Sequence, residues 1–422
     1  MPTQCAIKFD SNPNGVFYSG QTLTGHVELH LDNPKKVKNL KLIITGCAEV
    51  KWTKSKLSRR NGAAATAAAN RWRRIKRETY MGKEEYIASE VALIPRTNDD
   101  AIEIPAGTHE YKFTCQIPSN AATSFEGEHG RVRYTVRAVL YRPWKFDQTC
   151  TIAFTVLQPL DLNHEPEKVG QPMKLERSKN FWFWPCISGP MHFSIELPVS
   201  GYVSGQKIPI TVNLNNASNI PIQAIRSKLV RKVCFISQTP TRKARNEAKT
   251  VAKMLTTVTS DKSNQYTQDL VIPATAPTGK CPIITVEYEL KLKVKLGGFR
   301  PDQEMTIPIT IGTVPFGMSP KLESPLNNSG AAGFGWSGGM PMPSGVATPL
   351  LSMPELPNAR SSPLPYPPAT AAPPAIGFLP PSYQEAMNQS AVNVNDGEPN
   401  AIGFQAYIPR YPVYNFGSPL RM

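Results

Sequence analysis

The chain has 422 residues, with 47 Lys and Arg against 32 Asp and Glu, a net charge of +15 and 41 prolines. That proline content is about twice the ~5% background, and the length allows two or three domains. No uncharged apolar run approaches the ~18 residues of a spanning helix, and Met1-Pro2-Thr3-Gln4 has no apolar leader region, which argues against integral membrane and secreted classes. Pro2 stands where myristoylation would need glycine. The seven cysteines (5, 47, 115, 150, 186, 234, 281) are scattered and include no C-x-x-C pair. Reduced thiols in a cytosolic protein are therefore expected, rather than a disulfide framework or a zinc site.

Taken in chain order, the first elements are strands. Val27, Leu29 and Leu31 alternate with Glu28 and His30, a period of two that predicts one buried and one wet face. Lys51 to Arg77 contains ten basic residues and no acid, and its interior, 61–70, is mostly alanine. It separates two β-like runs and is expected to be a hairpin loop with an insertion. Arg59, Arg60, Arg71, Arg73, Arg74, Lys76 and Arg77 are its candidate contacts to an anionic membrane or a phosphate. A solvated loop kept soluble by its charge explains the same residues equally well. Nucleic acid would use the same cations with Trp72 as a stacking platform, but no RRM, KH or zinc-finger pattern accompanies it.

Val132 to Leu140 and Val286 to Leu296 repeat the alternation, with Arg131–Arg137 and Lys291–Lys295 on the polar faces. Those faces could line a basic concavity, although alternation of this kind more often marks a solvated surface. An internal repeat connects the two halves. Tyr18-Ser19-Gly20-Gln21 precedes Leu23, Val27 and Leu29, and Val203-Ser204-Gly205-Gln206 precedes Ile208, Val212 and Leu214 at a shift of 185 residues. The pattern predicts an all-β chain with two tandem β-sandwiches. Their bounds are expected at 1–160 and 185–314, with a linker over 161–184.

From Pro315 onward the composition changes. The last 108 residues hold 20 prolines and 11 glycines but only 4 basic and 5 acidic residues. A segment so poor in apolar side chains is expected to be a disordered Pro/Gly-rich tail, 315–422. Within it, Leu379-Pro380-Pro381-Ser382-Tyr383 is a P-P-x-Y sequence. Polyproline II repeats every three residues, so Pro380 and Tyr383 share a face with Pro381 beside them, a ridge that fits a WW domain groove. Composition alone would yield such a match about 0.17 times in the tail. Tyr411-Pro412-Val413-Tyr414 is a degenerate second copy.

Enzyme signatures are weak. Gly335-Trp336-Ser337-Gly338-Gly339 fits G-x-S-x-G but lacks the flanking strand and helix that a nucleophile elbow needs. The six histidines show no ligand spacing, and His26 and His30 stand four residues apart on one strand face. No catalytic residue, metal or cofactor is expected.

The ordered segments together resemble a known family. They are Tyr18-Ser19-Gly20-Gln21, Ala106-Gly107-Thr108-His109-Glu110-Tyr111-Lys112-Phe113, Ser124-Phe125-Glu126-Gly127, Arg142-Pro143-Trp144, Leu160-Asp161-Leu162-Asn163, Ser188-Gly189-Pro190 and Gly201-Tyr202-Val203-Ser204-Gly205-Gln206. With the proline-rich tail they resemble the α-arrestin (arrestin domain-containing) family. Where relatives often carry further cysteines, this chain has Phe181-Trp182-Phe183-Trp184 and one Cys186. The resemblance implies a cytosolic adaptor, peripheral to plasma membrane and endosomes. Its arrestin-like lobes would hold cytoplasmic segments of membrane receptors or transporters. Pro380, Pro381 and Tyr383 would recruit a WW-domain HECT-type ubiquitin ligase for cargo ubiquitination and endosomal sorting. The alternative is a lipid- or nucleic-acid-binding scaffold acting through the 51–77 loop.

Overall fold

The computed structural model describes residues 4–317, apart from 58–74, 97–100 and a few shorter breaks, and most of 381–416. The amino-terminal lobe contains β1 (Gln4–Phe9), β2 (Val16–Tyr18), β3 (Thr22–Leu31), β4 (Lys35–Val37), β5 (Asn39–Leu57), β6 (Ile75–Ile94), β7 (Ile102–Ile104), β8 (Gly107–Gln116), β9 (Phe125–Glu126), β10 (Gly130–Tyr141) and β11 (Gln148–Leu157). One sheet runs β1-β3-β8 and the other β2-β11-β10-β5-β6. The alternation read from the sequence is the burial pattern observed: Leu23, Val27, Leu29 and Leu31 of β3 are buried while their neighbours are not. Strands with one apolar face must pair those faces across two sheets, which is the sandwich. Phe9, Phe17 and Phe154 meet edge-to-face between the sheets, with centroids 5.4–5.8 Å apart.

A short helix, α1 (Pro166–Val169), leads to β12 (Met173–Lys179). β12 falls in the stretch expected to be a linker, yet it pairs in full register with β15 (Met191–Leu197) and so belongs to the second lobe. Between them lie the short pair β13 (Trp182–Phe183) and β14 (Cys186–Ile187). The lobe continues with β16 (Gly201–Val203), β17 (Lys207–Asn216), β18 (Ile222–Ile236), β19 (Ala244–Thr257), β20 (Ser263–Val271), β21 (Gly279–Lys280), β22 (Ile284–Leu296) and β23 (Gln303–Gly312). Its sheets run β12-β15-β17-β20 and β16-β23-β22-β18-β19.

The internal repeat is a structural one. β2 pairs parallel with β11, and β16 pairs parallel with β23, so each lobe closes its second sheet in the same way. The Ser-Gly-Gln turn after each is built alike. Gly20 and Gly205 have φ of 86° and 91°, a region that costs side-chain-bearing residues strain. The Tyr18 amide donates to Gln21 Oε1 at 2.8 Å, and the Val203 amide donates to Gln206 Oε1 at 3.1 Å.

The lobes meet where β6 and the β9–β10 region of the first face β18 and the turn after it in the second. The Met81 amide donates to the Thr239 carbonyl at 2.9 Å, and Lys243 Nζ lies 2.8 Å from the Tyr80 hydroxyl, whose ring stacks on Trp52. Phe235 packs on Phe125 and edge-on to His129. Close by, Arg133 donates to both Glu126 oxygens, Nε at 2.6 Å and Nη2 at 2.9 Å, in a largely buried pair. Arg231, 2% exposed, lies over the Phe125 ring at 5.2 Å.

The carboxy-terminal segment departs from expectation. Composition predicts disorder across 315–422; residues 318–380 lie outside the described residues, but much of 381–416 is folded onto the lobes. It forms β24 (Ser382–Glu385), β25 (Val392–Asn393), β26 (Ala406–Tyr407) and β27 (Arg410–Val413), with β24 antiparallel to β27 and β25 to β26. The physical reason is local. Tyr407, Tyr411 and Tyr414 are buried, and their apolar area with the paired backbone offsets the entropy that composition alone leaves uncompensated.

Candidate functional site

The folded part of 381–416 forms a strap that crosses both lobes, and the seam beneath it is the candidate site. On the amino-terminal lobe, the Tyr407 hydroxyl donates to the Phe154 carbonyl at 3.2 Å and meets Thr155 Oγ1 at 3.2 Å. The Arg410 amide donates to Thr155 Oγ1 at 3.1 Å. The Tyr411 hydroxyl donates to the Ser124 carbonyl at 2.9 Å from a wholly buried position. On the carboxy-terminal lobe, the Tyr414 amide donates to the Ser204 carbonyl at 3.0 Å and its hydroxyl to the Thr313 carbonyl at 2.7 Å. The Met387 amide donates to Ala274 at 2.9 Å.

Each buried phenol thus spends its proton on a main-chain or threonine oxygen, as a buried hydroxyl must. Burial pushes Tyr407 up to about 12, with the hydroxyls of Thr155 and Ser124 opposing. Burial, with the Tyr383 and Asp161 groups nearby, pushes Tyr414 up to about 12. Tyr411 is raised as well, first by burial.

The P-P-x-Y segment lies in this strap. Tyr383 and Pro412 are register partners in the β24–β27 pair, as are Ser382 and Val413. Tyr383 is half-buried against the core, and its phenol neighbours that of Tyr18, which is raised by burial first and by Tyr383 second. Pro381 is half-buried and Pro380 lies outside the described residues. The degenerate copy, Tyr411 to Tyr414, supplies the anchors of the strap and presents neither tyrosine to solvent. Sequence reasoning missed Tyr407, Tyr411 and Tyr414 as a set. Their signal was three of the tail's five tyrosines within eight residues.

The other candidates are placed as follows. Arg59, Arg60, Arg71, Arg73 and Arg74 lie outside the described residues, as does Ser337; Lys76 and Arg77 are in β6, with Arg77 exposed and opposite Ser55. The basic strand faces carry paired charges: Arg131 with Glu49, Arg133 with Glu126, Lys291 with Glu304 and Lys293 with Asp302. His26 Nδ1 sits 2.7 Å from Asp10, and His30 Nδ1 sits 3.0 Å from Thr108 Oγ1. Among the described residues no three His, Cys, Asp or Glu side chains are grouped to hold a metal, and no helix is long and apolar enough to cross a membrane.

Residues 5–163 match the arrestin (or S-antigen) N-terminal domain and residues 187–316 match the arrestin C-terminal domain. The chain is 30% identical over 319 residues to Arrestin domain-containing protein 4 of Mus musculus, covering 74% of this chain and 72% of that protein. It is 29% identical over 320 residues to the Homo sapiens protein of the same name, covering 74% and 71%. It is 28% identical over 323 residues to Arrestin domain-containing protein 17 of Caenorhabditis elegans, covering 72% and 69%. The duplicated sandwich, its twin Ser-Gly-Gln turns and these similarities agree: the chain belongs to the arrestin family, among the arrestin domain-containing proteins.

Proposed function

We propose that this protein is a non-enzymatic trafficking adaptor that couples membrane-protein cargo to a WW-domain HECT-type ubiquitin ligase, promoting cargo ubiquitination, endocytosis and endosomal sorting. One observation carries the reading: a P-P-x-Y segment, Pro380-Pro381-Ser382-Tyr383, follows two arrestin lobes in a single chain. The lobes hold cytoplasmic segments of receptors or transporters, and the motif supplies the ligase. Pro380, Pro381 and Tyr383 contact the WW groove, in which a polyproline II ridge docks with little ordering cost. Tyr383 cannot hold its β pairing with Pro412 while lying in a WW groove, so β24 leaves β27 before docking.

The test is titration of the full-length protein against a panel of isolated WW domains. Binding that disappears in Tyr383→Ala and persists in Tyr414→Ala supports the reading. Absence of binding to every WW domain, both by the full chain and by a chain ending at Gln405, overturns it.

A further inference from the structure

The loop that joins β10 to β11, Arg142 to Asp147, holds two large apolar side chains in water. Trp144 is fully exposed and Phe146 is 78% exposed, whereas most of the chain's other described aromatic rings are at least partly buried. Flexible loops normally fold such rings back, since exposed aromatic area is unfavourable. This loop is built so that it does not. Arg142 closes it by donating to the Phe146 carbonyl through Nε at 3.0 Å and Nη2 at 2.6 Å. Pro143 fixes the next φ, and Trp144 adopts φ 58°, the sole positive value for a non-glycine residue among the described residues. A bulky residue in that region is strained, and strain of this kind persists where the surroundings impose it.

The surroundings are cationic. The Lys38 amide donates to the Tyr141 carbonyl at 2.8 Å, which brings the β4 end against the base of the loop. Lys35 senses both Arg142 and Lys145: partial burial first, then Arg142, and also Lys145, hold its ammonium below the usual range, with Asp32 opposing. Lys36 is exposed beside it, opposite Glu103, and Asp147 follows Phe146. Cations at the base with an indole and a phenyl at the tip are the arrangement that sits in a bilayer interface. The indole lies at headgroup depth, the phenyl enters the acyl boundary, and the basic groups meet anionic lipid.

We propose that the Arg142–Asp147 loop is a membrane-contact element that inserts Trp144 and Phe146 into an anionic bilayer, with Lys35, Arg142 and Lys145 facing its headgroups. This loop shares no residue with the P-P-x-Y segment or with the basic 51–77 segment, and the proposal does not depend on ligase recruitment.

The test is flotation of the full-length protein with vesicles of phosphatidylcholine and phosphatidylserine, compared with phosphatidylcholine alone. Wild type is expected to partition onto the anionic vesicles. Trp144→Ala/Phe146→Ala is expected to partition about tenfold less, with an unchanged melting temperature, because neither ring packs on the core. Lys145→Glu is expected to weaken binding several-fold in low salt. Brominated phosphatidylcholine should quench a component of tryptophan emission that is missing in Trp144→Phe. Wild type that ignores anionic vesicles, or a double variant that floats as well as wild type, overturns the proposal. So does binding lost only when residues 59–74 are removed, which would move the contact to that basic segment. Intact flotation of the double variant with weakened capture of a cargo peptide would make the loop a protein contact and equally overturn it.

Discussion

Gly205 and Tyr414 meet backbone to backbone: a Cβ at Gly205 would stand 2.1 Å from the Tyr414 carbonyl oxygen. Its counterpart in the first lobe, Gly20, occupies the same turn with nearly the same φ and, among the described residues, has nothing within 4 Å of that position. The duplicated turn is thus used twice for folding and once for receiving the strap.

The pair makes a matched experiment. Gly20→Ala and Gly205→Ala both meet the left-handed backbone penalty of about 1–2 kcal/mol. Only Gly205→Ala also collides with the strap. Trypsin cleavage after Arg410 is expected to accelerate in Gly205→Ala and to stay near wild type in Gly20→Ala. Equal rates in the two variants would show that the strap does not depend on this contact.

Tyr411 is the deepest anchor of the strap. Tyr411→Ala is expected to remove about 3–5 kcal/mol of packing, freeing β24 from β27. WW-domain affinity of the full-length chain should then rise, whereas Tyr411→Phe, which loses one hydrogen bond of about 1 kcal/mol, should change it little. Calorimetric titration of the three proteins against one WW domain distinguishes the cases. An affinity unchanged in Tyr411→Ala would mean that the strap does not compete with docking.

Docking of the strap should also fail at high pH. The folded values for Tyr407 and Tyr414 are about 12, above the ordinary ~10 of a free tyrosine. Below pH ~10 both docked and released phenols are protonated, and the contribution is complete. It is lost as pH rises through about 12, because the released strap ionises first. Proteolytic protection of Arg410 against pH should fall across that window, with a smaller fall in Tyr407→Phe/Tyr414→Phe.

The Arg133–Glu126 pair should tolerate loss of one partner poorly. Arg133→Met leaves a buried carboxylate without its two donors, at a cost of about 3–5 kcal/mol. Chemical denaturation of the full-length protein should show that loss. Arg131→Met, whose partner Glu49 is far more exposed, should cost under about 1 kcal/mol.

Much of the architecture could be read from residue order. The period of two in β3, β10 and β22 fixes which side chains are buried, because a strand's side chains can only alternate. The repeated Ser-Gly-Gln identifies the duplication, because only glycine takes that φ without strain and the glutamine closes the turn on its own backbone. β12 was not legible: Lys174-Leu175-Glu176-Arg177-Ser178-Lys179 is almost wholly exposed along an edge, so no buried face marks it as a strand.

The tail divides most sharply between the two levels. Its sequence determines the composition, the P-P-x-Y motif and the absence of enough apolar surface for a core of its own. Only the tertiary structure decides that three tyrosines find partners elsewhere, on Phe154, Ser124 and Thr313, residues 101 to 287 positions away. Local composition reports what a segment can bury against itself. It is blind to a groove supplied by two other lobes, and that groove supplies the interactions that hold this strap.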